Sequence, residues 1–295
     1  MASTQAESIK ALYSGWINAM AEKPDMELDE IRALFEHWGD ITVEPGQVDY
    51  IEVNAGGVDA MWAIPKNCKE DRVALCTHGG GYVTGSMYTH RKLFGHIAKE
   101  VGCKALILNY RRAPEHTHPA QVNDAVAAYE WLLHEGYKAE HIFATGDSAG
   151  GALATSVLLG IRDKGLPLPA GSIPMSPWYD PEGTAKSLET NAEKDCIVKK
   201  EVLMNMAETF LGGASSKDPL ANLLCADLKG LPPIYIQVGG DESLLDDSLR
   251  FEKLAQKAGL NIKVDVFPEM QHVFHFMAGD APEADEAIRR MADWI

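Results

Sequence analysis

The sequence lacks any stretch of about 18 uninterrupted apolar residues, so it offers no candidate membrane span. It has no run of five like charges and no basic cluster, and its 27 basic residues are outnumbered by 43 acidic ones for a net charge of -16. Such a surface repels nucleic acid and anionic lipid headgroups, both of which need Lys/Arg clusters. The opening "MASTQAESIKALYSGW" shows neither a basic n-region nor a long apolar h-region, so no signal peptide is expected. Five scattered cysteines, an odd number without C-x-x-C spacing, point away from a disulfide framework or a structural zinc site and toward a reducing, cytoplasmic setting. Internal repeats and low-complexity tracts are also missing. What is left is an ordinary globular composition, 46% hydrophobic and 24% charged, suited to a small uncharged partner.

Short apolar runs alternate with amphipathic segments from Val73 onward. Strands are predicted at 73–77, 104–110, 141–145, 171–176, 233–238 and 263–267, with helices near 89–101, 120–135, 149–163, 243–258 and 282–294. This rhythm implies an α/β fold with a mostly parallel sheet covered on both faces, whose ligands bind beyond the carboxyl ends of the strands. Two N-terminal helices are expected from the spacing of Ile9, Leu12, Trp16 and Met20 and of Leu28, Ile31, Leu34, Phe35 and Trp38. Between Asp180 and Leu231 the rhythm breaks, leaving one helix at 199–211 among polar loops. The expected division is therefore residues 1–45 and 181–229 as a helical cap over a core of 46–180 and 230–295.

In "HIFATGDSAGGALATSVLLG" a strand runs into Gly146-Asp147-Ser148-Ala149-Gly150 and then straight into a small-residue helix. That is the context of a nucleophile elbow, in which a serine on a strained turn projects above the sheet. A serine hydroxyl needs a base and a group to orient that base, in the chain order Ser, Asp or Glu, His. Asp241 follows one late strand and His272 the last, with His275 the rival base. Ser243 and Asp246 read as a capping box and Asp247 as a first-turn carboxylate of the following helix.

"CTHGGGYVTG" fails as a phosphate loop, because Ser86 stands where a P-loop needs lysine and Thr84 where a dinucleotide fingerprint needs glycine. It fits instead as the source of backbone N–H groups for an oxyanion. Gly79 and Gly80 are the expected donors together with Ala149, and His78 is expected to hold the loop. Position suggests Tyr82, Trp178, Tyr179, Met204, Met206, Phe210 and Leu211 as pocket residues. His116 and His118 could suggest a metal pair, but no third ligand of suitable spacing accompanies them.

Taken in order, "HGGGY" (78–82), "YRRAPEH" (110–116), "GDSAGG" (146–151), "DESL" (241–244) and "HVF" (272–274) resemble the motifs of the hormone-sensitive-lipase-like, family IV bacterial carboxylesterases, which are similar to arylacetamide deacetylases. The resemblance implies an α/β-hydrolase core with a helical cap, and hydrolysis of short-acyl carboxylic esters with no cofactor; the serine implies an acyl-enzyme, and the adaptable methionines of the expected pocket make aryl esters and lactones credible substrates. It also makes a homodimer plausible. Arg112 departs from the family's leucine, and Thr117 and His118 from its proline and aromatic. The chain stops at "MADWI", within its last predicted helix, which suggests that a few terminal residues are missing. A receptor-like binding protein on this fold would lack the base that His272 supplies, an epoxide hydrolase would need aspartate at Ser148, and a peptidase or amidase would share the triad.

Overall fold

The computed structural model describes residues 2–295. Helices α1 (Glu7–Glu22) and α2 (Leu28–Phe35) lead into a hairpin of β1 (Val48–Ala55) and β2 (Val58–Pro65). There follow β3 (Val73–Thr77), α3 (Met87–Val101), β4 (Lys104–Leu108), α4 (Ala120–His134), β5 (Ile142–Asp147), α5 (Ala149–Asp163) and β6 (Gly171–Met175). After β6 come α6 (Ser187–Thr190) and α7 (Lys200–Leu211), then β7 (Ile234–Gly239), α8 (Leu245–Lys257), β8 (Ile262–Phe267) and α9 (Pro282–Trp294).

The eight strands form one sheet in the order β1-β2-β4-β3-β5-β6-β7-β8, antiparallel where β2 meets β1 and β4 and parallel from β4 to β8. Side chains alternate between its faces. Leu75, Leu106 and Leu108 pack with residues of α4, α5 and α8 on one face, while Ala74, Cys76, Ala105 and Ile107 pack with α1, α3 and α9 on the other. Central strands buried on both faces explain why β3 and β5 begin as apolar runs, with polar residues only toward their carboxyl ends. The β1–β2 hairpin turns on Gly56-Gly57, with Ala55 paired to Val58.

Candidate active site

The turn from β5 into α5 puts Ser148 at φ 54°, ψ -122°. A non-glycine residue there costs on the order of 1–3 kcal/mol and persists only when its surroundings impose it. Three backbone hydrogen bonds do so: Ser148 N–H donates to Met175 O at 2.9 Å, and its carbonyl accepts from Ala152 and Trp178 N–H, each at 3.0 Å. A Cβ at Gly150 would collide with the Thr77 and His78 backbone, so the small-residue helix is what lets α5 press against β3.

His272 follows β8, and its Nδ1 lies 2.8 Å from Oε2 of Glu242. Asp241, the expected partner, points elsewhere: its carboxylate is partly exposed and lies 3.7 Å from Lys194 Nζ. The turn after β7 decides between these neighbours. Gly240 N–H donates to Phe267 O and Asp241 N–H to Met270 O, which fixes the backbone so that the next side chain, Glu242, turns inward. Its Oε1 accepts from the Ser176 hydroxyl at 2.8 Å and from the Gly239 amide, and Ser176 Oγ in turn accepts from Val273 N–H at 3.1 Å. Burial opposes charge on His272, but the hydrogen bond and charge of Glu242, with Asp195 and Asp147 beyond, outweigh it and raise the imidazole pKa above its usual value. His275 faces away, 2.9 Å from Gln237 Oε1, and burial pushes it down to about 3, so it stays neutral.

The glycine loop also differs in detail from expectation. The Gly79 amide is occupied, 3.1 Å from Asp147 Oδ1 and 3.2 Å from His90 Nε2, and so is not free for a ligand. The Gly80 and Gly81 amides have no protein acceptor among the described residues, and both glycines border the same cavity as Ser148 and His272. Gly80 sits at φ 108°, where a Cβ would also strike Thr84. Ala149, the first residue of α5, likewise has an amide without an intrahelical acceptor. His78 holds the loop: its Nδ1 is 2.8 Å from Gly79 O, its ring stacks on Tyr110 at 4.2 Å, and its carbonyl accepts from the Tyr110 hydroxyl at 2.6 Å. Behind it, His90 links Asp147 (3.2 Å) to Thr89 (2.6 Å).

The cavity is small, with about 50 Å³ of room for a water-sized sphere, and about 510 Å³ when the open solvent at its mouth is counted. Its walls come from Met20, Phe35 and Trp38 of the N-terminal segment, from Ile197, Val198, Lys199, Val202, Leu203 and Met206 of the segment between β6 and β7, and from Trp178. Among the expected pocket residues, Trp178 and Met206 reach it. Tyr82 and Phe210 stack on each other at 3.9 Å, outside the cavity wall. Tyr179 packs on Phe251 with its hydroxyl 2.9 Å from Thr155, and Met204 covers Gly183. Leu211 also lies off the wall. Glu242, Gly81, Asp147 and His90 are the site residues that the sequence reading missed. The Asp of "GDSAGG" was visible, but its acceptor role was not.

Residues 74–276 match the α/β-hydrolase fold family. Over its full length the chain superposes on a crystal structure described as an esterase from the bacterial hormone-sensitive lipase family, with a TM-score of 0.95 and 40% identity, covering 98% of that chain. The chain belongs to this family. An acetyl-hydrolase of Streptomyces hygroscopicus is 38% identical to this family member over 289 residues, 98% of this chain and 95% of the relative. An esterase of Acinetobacter venetianus is 34% identical over 218 residues, 74% of this chain and 72% of the relative. The structure of EstE5 soaked with p-nitrophenyl butyrate superposes with a TM-score of 0.91 at 39% identity, covering 99% of this chain and 98% of that one. As a hormone-sensitive-lipase-family esterase, the protein is a serine carboxylesterase acting on small-molecule esters. Among its described residues, no helix is long and apolar enough to cross a membrane.

Proposed function

We propose that Ser148, His272 and Glu242 form the catalytic triad, that the Gly80, Gly81 and Ala149 amides bind the oxyanion, and that the preferred substrates carry short acyl chains. The observation that carries this reading is the 2.8 Å contact from His272 Nδ1 to Glu242, on a ring that borders the same cavity as Ser148. With Nδ1–H donated to the carboxylate, Nε2 is the free base. Ser148 Oγ attacks the ester carbonyl as Nε2 takes its proton, and the three amides receive the developing oxyanion. Collapse passes that proton to the leaving alcohol. Water, deprotonated by the same nitrogen, then attacks the acyl-enzyme, and as the acyl C–O bond breaks the imidazolium returns that proton to Ser148 Oγ, freeing the acid and the serine.

Residues 1–45 and 181–229 act as the cap over the remaining core, since they supply most of the cavity wall. Its narrow, apolar lining favours acetyl and butyryl groups over long chains. A reducing, cytoplasmic compartment suits the five unpaired cysteines. The test is hydrolysis of 4-nitrophenyl acetate, butyrate, octanoate and palmitate by wild type and Ser148→Ala. Fast turnover of the two short esters, lost by roughly 10⁴-fold or more in the variant, is expected. Palmitate turned over as fast as butyrate would refute the acyl preference, and an active Ser148→Ala would refute the nucleophile.

A further inference from the structure

A cleft on the outer side of the glycine loop is bordered by three arginines, Arg32, Arg111 and Arg112. Two of them have carboxylate partners. Arg32 binds Glu115 at 2.6 and 2.7 Å, and Arg111 binds Asp124 at 2.7–3.0 Å. Arg112 has none within hydrogen-bond distance among the described residues; its single protein bond runs from Nη1 to Gly85 O at 2.6 Å. The nearby Glu36 carboxylate is bonded to the Ser86 hydroxyl instead, at 3.3 Å. In a chain with 43 acidic residues, a half-buried guanidinium with no directly bonded carboxylate is only partly compensated, by the fields of Glu36 and Glu115. Burial first and then the neighbouring Arg32 lower the pKa of Arg112, and the more weakly acting Tyr110, Glu36 and Glu115 do not offset them.

The unused Nε and Nη2 edge of Arg112 is a flat pair of donors that matches two oxygens of one anion. Asn109 and His116 border the same cleft, and Asn109 uses only its Oδ1, accepting from Met87 N–H at 3.4 Å, which leaves its Nδ2 as a donor. The cleft also touches the reaction machinery. Arg112 holds the carbonyl of Gly85, and Arg32 Nε holds that of Val83 at 3.0 Å, on the loop that carries Gly80 and Gly81.

We propose that this cleft binds a small oxyanion, a carboxylate or inorganic phosphate, through Arg112, Asn109 and His116, and that its occupancy stiffens the glycine loop. An anion on the free edge of Arg112 fixes the guanidinium and offsets its repulsion from Arg32, so both loop contacts tighten together. A ligand that favours the ordered loop must, by linkage, strengthen whatever that loop binds. The effect on turnover rests on Gly80 and Gly81 serving as oxyanion donors; anion binding itself does not.

The test uses the full chain at constant ionic strength, balanced with sodium chloride, titrated separately with sodium phosphate and sodium acetate. Thermal unfolding and 4-nitrophenyl butyrate turnover are followed for wild type, Arg112→Leu and Asn109→Ala. Wild type should show a rise in Tm that grows with the logarithm of anion concentration above Kd, about 4 °C at a hundredfold excess over Kd for a chain of this size. That rise should vanish in Arg112→Leu and weaken in Asn109→Ala, and kcat should rise over the same concentrations. A response to acetate alone identifies a carboxylate site, and a response to phosphate alone a phosphate site. No concentration-dependent rise of Tm in wild type, or the same response in Arg112→Leu, overturns the site. Should Arg112→Leu not fold, an undiminished response in both Asn109→Ala and His116→Ala overturns it equally. A Tm response without any change in kcat overturns the coupling but not the site, and an enzyme inactive under all conditions counts against the triad while the Tm result stands.

Discussion

Replacing Glu242 by Gln separates the two acidic candidates that stand next to each other after β7. Glutamine keeps the size of the side chain, and its carbonyl oxygen can still accept from Ser176 and the Gly239 amide. Its NH₂ group then faces His272 Nδ1, which must accept rather than donate and so shifts the ring proton to Nε2. An imidazole protonated at Nε2 cannot take the proton of Ser148. The equivalent change in a serine protease triad lowers kcat by about 10⁴-fold, which corresponds to about 5.5 kcal/mol, and a loss of this order is expected here. Asp241→Asn removes only a partly exposed contact 3.7 Å from Lys194, and turnover should stay within about twofold of wild type. Steady-state hydrolysis of 4-nitrophenyl butyrate, with unfolding curves to confirm that both variants fold, provides the measurement. A collapse of activity in Asp241→Asn beside an active Glu242→Gln would refute the reasoning.

The raised pKa of His272 gives a signed pH dependence: the neutral ring is the base, so kcat/KM should fall on acidification with a midpoint above 6.5, and a midpoint well below 6 would contradict the Glu242 contact. Folding linkage runs the other way, since a group with a raised folded pKa stabilises below its unfolded value and loses that contribution as pH rises through the folded one. Ser148→Gly should be inactive yet more stable than Ser148→Ala by about 1 kcal/mol, because glycine relieves the strain at φ 54°; equal denaturation midpoints would show that the turn is unstrained. Gly80→Ala should lower kcat by about 10² to 10³-fold with little change in KM, read from the same ester assay, since a Cβ pressed against Thr84 displaces an oxyanion donor.

The parallel half of the sheet was legible because β3, β5, β6 and β7 are buried on both faces and read as apolar blocks between helical patterns, while the edge strand β8 reads as an apolar–polar alternation; β3 and α5 fall on their expected residues. The β1–β2 hairpin was passed over although "NAGGVD" has a Gly-Gly pair between alternating residues, a hairpin signal. The proposed nucleophile was legible because strand, turn and helix are contiguous in sequence. Its acidic partner was not, because Asp241 and Glu242 differ by one position and the choice depends on hydrogen bonds to the loop after β8. The same holds for the first glycine, whose amide is taken by Asp147, 68 positions away. The expected capping box is also absent: Leu244 is the N-cap of α8, Ser243 Oγ has no partner, and Asp246 accepts from Lys186 N–H. Asp247 serves the Tyr179 and Asp180 amides rather than its own helix. Pocket residues were the least legible, since two distant segments close over one space.

One contact ties the ends of the chain together. The Tyr13 hydroxyl of α1 donates to the carbonyl of His272 at 2.9 Å, across 259 positions, and is itself held by Trp38 at 3.2 Å. On the ribosome the first helices emerge long before the segment they brace, and must wait through the synthesis of nearly the whole sheet. The base acquires its support only after β8 has been added. A partly made chain therefore carries its nucleophile exposed to the cell but without the means to use it.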